Sequence, residues 1–269
     1  MSVIKPIGEL FEVDSEGFFI NPCDISLITS PWLEVVNLTK EAYLANIAND
    51  IHSIYVRGSV AKGTAVERNS DIDTFAIIKA GVTHVNTDWF SQFQSEMTEQ
   101  SGFHTGVEMG VLSYDSVFDP QKRYSLQFMI KLQTACIHGE NVANSIGNFK
   151  PGSYLTNDLF NFKKIVSKCL STLQEISKKE DIEYLCSWIM KKIIRTGFLL
   201  VAERENSFSR DLYPCYKSFS KYYPTYEPQM RFALESAIVP VTDKLTLTKF
   251  ISEFGQWLLC EIDALSLHS

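Results

Sequence analysis

Apolar residues recur at helical spacing across residues 31–50, where Trp32, Val35, Val36, Leu38, Tyr43, Leu44 and Ile47 mark one stripe. Ser30 ahead of Pro31 predicts a cap followed by a first-turn proline. Shorter apolar runs at 54–56, 71–78 and 105–113 read as strands, the first two separated by a loop containing Gly and Ser. Helical patterns at 88–99, ending near Gly102, and at 124–135 alternate with them; the second leads into Cys136-Ile137-His138-Gly139. Residues 9–20 read as two short strands around a Ser-Glu-Gly turn. The pattern changes at Asn148-Phe149-Lys150-Pro151-Gly152, a candidate linker. Beyond it, helices are predicted at 155–178, 182–203, 212–222, 228–236 and 246–265, without strand-like alternation. The fold class expected is α+β: an N-terminal α/β domain with a mixed sheet over residues 1–148, then a C-terminal helical bundle over 149–269.

Composition narrows the partners. Hydrophobic residues at 45% and charged residues at 21% describe a chain able to bury a core, which sets disorder aside. The net charge of −7 argues against a large nucleic-acid partner, because phosphate neutralisation needs a basic face, and it favours a small or cationic one. Six scattered cysteines form no C-x-x-C pair and no cluster with histidine, as expected of free thiols in a reducing compartment. No apolar stretch approaches the roughly 20 residues that span a bilayer. The first residues carry acids where a signal peptide needs a basic start. A cytoplasmic location with no membrane partner is the expectation.

The chemistry concentrates in Val56-Arg57-Gly58-Ser59 and in Ser70-Asp71-Ile72-Asp73. A strand ends at Gly58-Ser59, and a short helix is expected to start there. Gly58 admits a phosphate close to the backbone, while Ser59 offers a hydroxyl and an amide as donors. The chain then returns as a strand. Period-two alternation puts Asp71 and Asp73 on one face and Ile72 in the core behind. Two carboxylates so close repel unless a cation lies between them, and Mg²⁺ is the hard cation that joins carboxylates to phosphates. A third acid is the expected complement. Glu108 is flanked on its own strand face by Gly106 and Gly110, which leaves room around it; Asp115 and Asp119 are alternatives nearer the strand's end.

Gly58-Ser59 with Asp71-Ile72-Asp73 twelve residues on resembles the signature of the polymerase-β-like nucleotidyltransferase superfamily. The layout as a whole, with Ile137-His138-Gly139-Glu140-Asn141-Val142 and the helical second half, is similar to the aminoglycoside nucleotidyltransferases, in the streptomycin/spectinomycin adenylyltransferase branch. The resemblance implies ATP as donor, Mg²⁺ on Asp71 and Asp73, and β/γ-phosphates on Ser59. It makes Glu108 a third metal ligand, a general base, or both. It also implies a second domain that closes over nucleotide and acceptor and supplies basic residues to the triphosphate. Arg195 and Arg210 best match that role, with Lys217 and Lys221 behind them.

Three functions compete on these residues. The first is transfer of AMP to a hydroxyl of a small cationic acceptor such as an aminoglycoside, with pyrophosphate released. The second keeps the chemistry and takes a protein or tRNA acceptor, as toxin-like members of the superfamily do; the basic pairs Lys163-Lys164, Lys178-Lys179 and Lys191-Lys192 form no contiguous groove for it. The third is an inactive nucleotide-binding regulator, which has no need of three mutually repelling acids. The aromatic run from Tyr213 to Tyr223 reads either as an acceptor pocket or as interdomain packing. The five histidines lack metal-ligand spacing.

Overall fold

Two strands, β1 (Ile51–Arg57) and β2 (Ile72–Ile78), are buried almost throughout and on both faces, as central strands are. In the computed structural model, which describes residues 4–120, 123–152, 155, 159 and 161–266, they pair antiparallel at the centre of a four-stranded sheet. Strand β3 (Val107–Ser113) lies parallel to β2, and β4 (Thr134–Gly139) lies antiparallel to β1, giving the mixed order β3-β2-β1-β4. The two outer strands are less buried, in keeping with their place at the edges.

One face of the sheet packs on α1 (Trp32–Ile47) and α3 (Phe90–Ser101). Trp32, Val35 and Val36 meet Val56, Ile72 and Val107 there, and Tyr43 and Ile47 meet Ile54 and Ala76. The opposite face carries Tyr55, Phe75 and Ile77 against Val117 of α4 (Tyr114–Val117) and Ile130 of α5 (Arg123–Leu132). A single turn of helix, α2 (Gly58–Ala61), joins β1 to the loop before β2. Helix α3 ends where expected: Gly102 adopts φ +59°, the left-handed conformation glycine takes at a helix C-terminus.

The chain divides into two units, Asp14–Phe149 and Met1–Val13 with Lys150–Ser269. The second is helical: α6 (Phe162–Glu175), α7 (Lys179–Leu199), the short α8 (Ala202–Glu205), α9 (Leu212–Tyr222), α10 (Glu227–Ile238) and α11 (Lys244–Ser266). Helix α7 buries Ile189, Met190, Ile193, Ile194 and Phe198. Its Gly197 lies where any Cβ would fall 3.0 Å from Phe219 Cδ2 and against Met230, so the glycine sets how closely α7 approaches α9 and α10. Part of the aromatic run expected to line a pocket or an interface packs within this unit. Phe219 and Tyr223 pack on Trp257, and Tyr223 donates to Glu261 Oε2 at 2.9 Å.

Several expected boundaries move. Residues 9–20 form no strand: Asp14 Oδ1 accepts from the amides of Glu16 and Phe18 and closes a turn through Gly17 at φ +82°. The segment before it was expected to open the N-terminal domain. It lies along the helical unit, where Phe11 N donates to Phe208 O and the Ser207 and Ser209 hydroxyls donate to the carbonyls of Phe11 and Glu9. Pro31, not Ser30, is the cap of α1; the Ser30 hydroxyl donates to Glu34 Oε1 instead. The helix expected at 124–135 stops at Leu132 because Thr134 already pairs with Arg57 in the sheet. The helix expected from 155 begins at Phe162, and part of its start lies outside the described residues.

Candidate active site

The sheet itself assembles the acids. In the parallel β2–β3 pair Asp73 stands opposite Glu108, and in the antiparallel β1–β2 pair Asp73 stands opposite Arg57. Asp71, just before β2, shares the face of Asp73, while Ile72 between them is fully buried behind. Carboxylate oxygens of Asp71, Asp73 and Glu108 all lie within 4.8 Å of one another. Among the described residues no other group of acids, histidines and cysteines converges in this way. Asp73 is half-buried and Glu108 exposed, so the cluster is open to solvent on the side of Glu108.

Neighbouring groups hold the strand that carries Glu108. Glu108 is steadied through its backbone, whose carbonyl accepts from Thr74 Oγ1 at 3.0 Å. Gly110, two residues on, receives the buried Tyr43 phenol, which accepts from its amide at 3.0 Å and donates to its carbonyl at 3.1 Å. Burial pushes the Tyr43 phenol up to about 12, so it stays neutral and able to play both roles. This contact fixes the edge strand that carries Glu108. Asp115, the alternative third acid, is occupied elsewhere: its Oδ2 accepts from Gly81 N at 2.9 Å.

Gly58 has φ +75°, and a Cβ there would lie 3.1 Å from Asp73 Oδ2. Glycine is therefore required both for the turn and for the approach of the acid. Ser59 follows at the second position of α2, half-buried, with its carbonyl accepting from Thr64 N at 2.9 Å. With only four residues α2 carries little dipole, so at the turn itself the local amides and the Ser59 hydroxyl, not the helix dipole, would meet an anion. The three-carboxylate donor set consists of oxygens alone, which suits a hard divalent cation such as Mg²⁺.

Arg57 was not singled out by sequence reasoning. Its Nε lies 3.8 Å from Asp73 Oδ2, and its Nη1 donates to Met129 Sδ at 3.1 Å. The signal was present in the order of residues, since a strand ending one position before Gly58 and pairing antiparallel with the Asp73 strand brings residue 57 beside an acid. In the helical unit Arg195 Nε donates to the carbonyl of Arg210 at 3.0 Å, which places the two predicted basic residues side by side. Lys221 is engaged with Glu205 at 3.2 Å, and Lys217 is exposed. The Ile137-His138-Gly139-Glu140-Asn141-Val142 stretch locks β4 onto β1: Gly139, at φ +77°, leaves no room for a Cβ against His52 and Ser53, and Val142 N donates to the Tyr55 hydroxyl at 2.8 Å.

Neither family models nor curated protein sequences match the chain. Among solved structures it is similar to spectinomycin adenyltransferase AAD(9) from Enterococcus faecialis, determined with ATP and spectinomycin. The TM-score is 0.51 at 11% identity, over 84% of this chain and 98% of the other. At that identity the likeness is one of fold. The chain thus resembles that adenyltransferase in fold.

Proposed function

We propose that the protein is a Mg²⁺-dependent nucleotidyltransferase that moves AMP from ATP to a hydroxyl of a small, cationic acceptor of the aminoglycoside kind. The observation that carries this reading is the convergence of Asp71, Asp73 and Glu108 within 4.8 Å beside the Gly58-Ser59 turn, on the fold of an adenyltransferase. The acceptor oxygen bonds to the α-phosphorus, the bond between that phosphorus and the α–β bridging oxygen breaks, and pyrophosphate leaves with that oxygen. Ser59 binds the β/γ-phosphates through its hydroxyl and amide, with Gly58 allowing the approach. Glu108 accepts the acceptor's proton or joins the metal ligands. Arg195 and Arg210 are the proposed basic contacts to the triphosphate. Mg²⁺ held by Asp71 and Asp73 supplies neutralisation of charge on the phosphate oxygens.

The deciding experiment is pyrophosphate release from each nucleoside triphosphate with Mg²⁺, across aminoglycosides, spectinomycin, tRNA and protein acceptors. Asp73→Ala serves as the control. Release that requires ATP, one aminocyclitol or aminoglycoside, and an intact Asp73 supports the proposal. Release only with tRNA or protein moves the acceptor to a macromolecule. Wild-type activity in Asp73→Ala, or nucleotide binding without release on any acceptor, overturns it.

A further inference from the structure

We infer that Arg57 is a resident counter-charge of the acidic cluster and passes from Asp73 to a phosphate of the nucleotide when a divalent cation takes the acids. The inference rests on the nucleotidyl-transfer reading above. Arg57 reaches the site through the sheet: it closes β1, stands opposite Asp73 in the antiparallel register, and therefore projects from the same face. A loop arginine would need ordering; this one is delivered by strand pairing.

Its contacts hold it in place without engaging it fully. The 3.8 Å separation from Asp73 Oδ2 is a charge attraction longer than a hydrogen bond. The other contact, at 3.1 Å, is to the Met129 thioether, a weak acceptor. The side chain is 31% exposed. A guanidinium has five donors in a planar fork suited to phosphate oxygens, and neither of these contacts uses that fork. Arg57 also immediately precedes the Gly58-Ser59 turn, and Gly58 is packed closely enough on Asp73 that a Cβ would sit 3.1 Å from Oδ2. A phosphate seated on that turn is therefore within the neighbourhood that Arg57 already shares with Asp73.

The two roles have opposite signs, which makes them testable. As a positive charge beside the acids, Arg57 opposes a divalent cation when no nucleotide is present. As a phosphate donor, it favours the nucleotide. Removing it should tighten one ligand and weaken the other, whereas a residue that merely packs would move both the same way or neither.

The test is binding, not turnover. Mn²⁺ affinity of the nucleotide-free protein is measured by the loss of the free-ion electron paramagnetic resonance signal. ATP affinity is measured by calorimetry in Ca²⁺. Wild type is compared with Arg57→Met, which keeps the stem, and with Arg57→Lys, which keeps the charge. The expected result for Arg57→Met is Mn²⁺ binding roughly threefold to tenfold tighter, from the lost like charge, and ATP binding about tenfold weaker, from the lost charge-assisted bonds. Arg57→Lys should keep the wild-type Mn²⁺ affinity and lose part of the ATP affinity. Mn²⁺ affinity unchanged or weaker in Arg57→Met overturns the inference. If that variant does not fold, Arg57→Gln replaces it under the same criteria. Wild-type protein that binds neither Mn²⁺ nor ATP would sink the nucleotidyl-transfer reading itself, an outcome distinct from an insensitive Arg57 variant.

Discussion

At the scale of single residues, the site depends on small groups in demanding positions. Gly58→Ala would force an L residue to φ +75° and put a methyl 3.1 Å from Asp73 Oδ2. The expected cost is about 1–2 kcal/mol of stability, read from urea denaturation, with a disproportionate loss of pyrophosphate release because the methyl displaces the acid. Glu108 stands directly beside Asp73 on an exposed edge, so its two roles separate cleanly. Glu108→Gln should lower kcat by about 10²-fold or more. Unchanged Mn²⁺ affinity in that variant assigns Glu108 as the base; weakened affinity assigns it as a ligand. Wild-type kcat would remove Glu108 from the site. Asp71, Asp73 and Glu108 were legible in the sequence because strand alternation and flanking glycines are local signals. Arg57 was not, because its role comes from a cross-strand partner sixteen positions away.

At the scale of elements, a single phenol secures the edge strand. Tyr43 comes from α1, is fully buried, and satisfies both backbone groups of Gly110. Tyr43→Phe would leave a half-buried amide and carbonyl without that partner, at a cost of about 1 kcal/mol, seen as a lower urea midpoint. An unchanged midpoint would show that the phenol is dispensable to the edge. In the helical unit, Gly197→Ala would push a methyl against Met230 and Phe219. A loss of about 1–3 kcal/mol is expected for such overpacking, without an effect on the affinity of the acidic cluster for Mn²⁺. Helix α9 matched its predicted range because its apolar period is unbroken from Leu212 to Tyr222. Residues 9–20 have apolar alternation at Phe11 and Phe19, but a strand needs a partner ladder, and here single backbone bonds take its place, from Phe11 to Phe208 and from Phe19 to Phe149.

At the scale of the molecule, buried phenols set the alkaline limit. Burial pushes Tyr43 and Tyr55 up to about 12, and burial reinforced by Glu227 and Glu261 does the same for Tyr216 and Tyr223. A raised native value means the unfolded chain releases these protons first, near pH 10, so stability is full below that and declines as pH rises toward 12. The melting temperature by circular dichroism should fall steadily from about pH 10 upward, and Tyr43→Phe should make that decline shallower. A flat profile to pH 12 would contradict it. Among the described residues no helix is long and apolar enough to cross a membrane.

Sequence by itself determined what depends on near neighbours. The periods of 2 and 3.6 marked most strands and helices, and the spacing of Gly58-Ser59 and Asp71-Ile72-Asp73 pointed to phosphate and metal. Only the tertiary structure decided what depends on pairing between distant segments. Sheet order and register brought Glu108 and Arg57 to Asp73, residues 4–13 joined the helical unit through hydrogen bonds to a segment about two hundred positions later, and Phe219 and Tyr223 came to pack beside Trp257. Those outcomes are set by which surfaces meet, and no local pattern of apolar and polar residues encodes a partner's address.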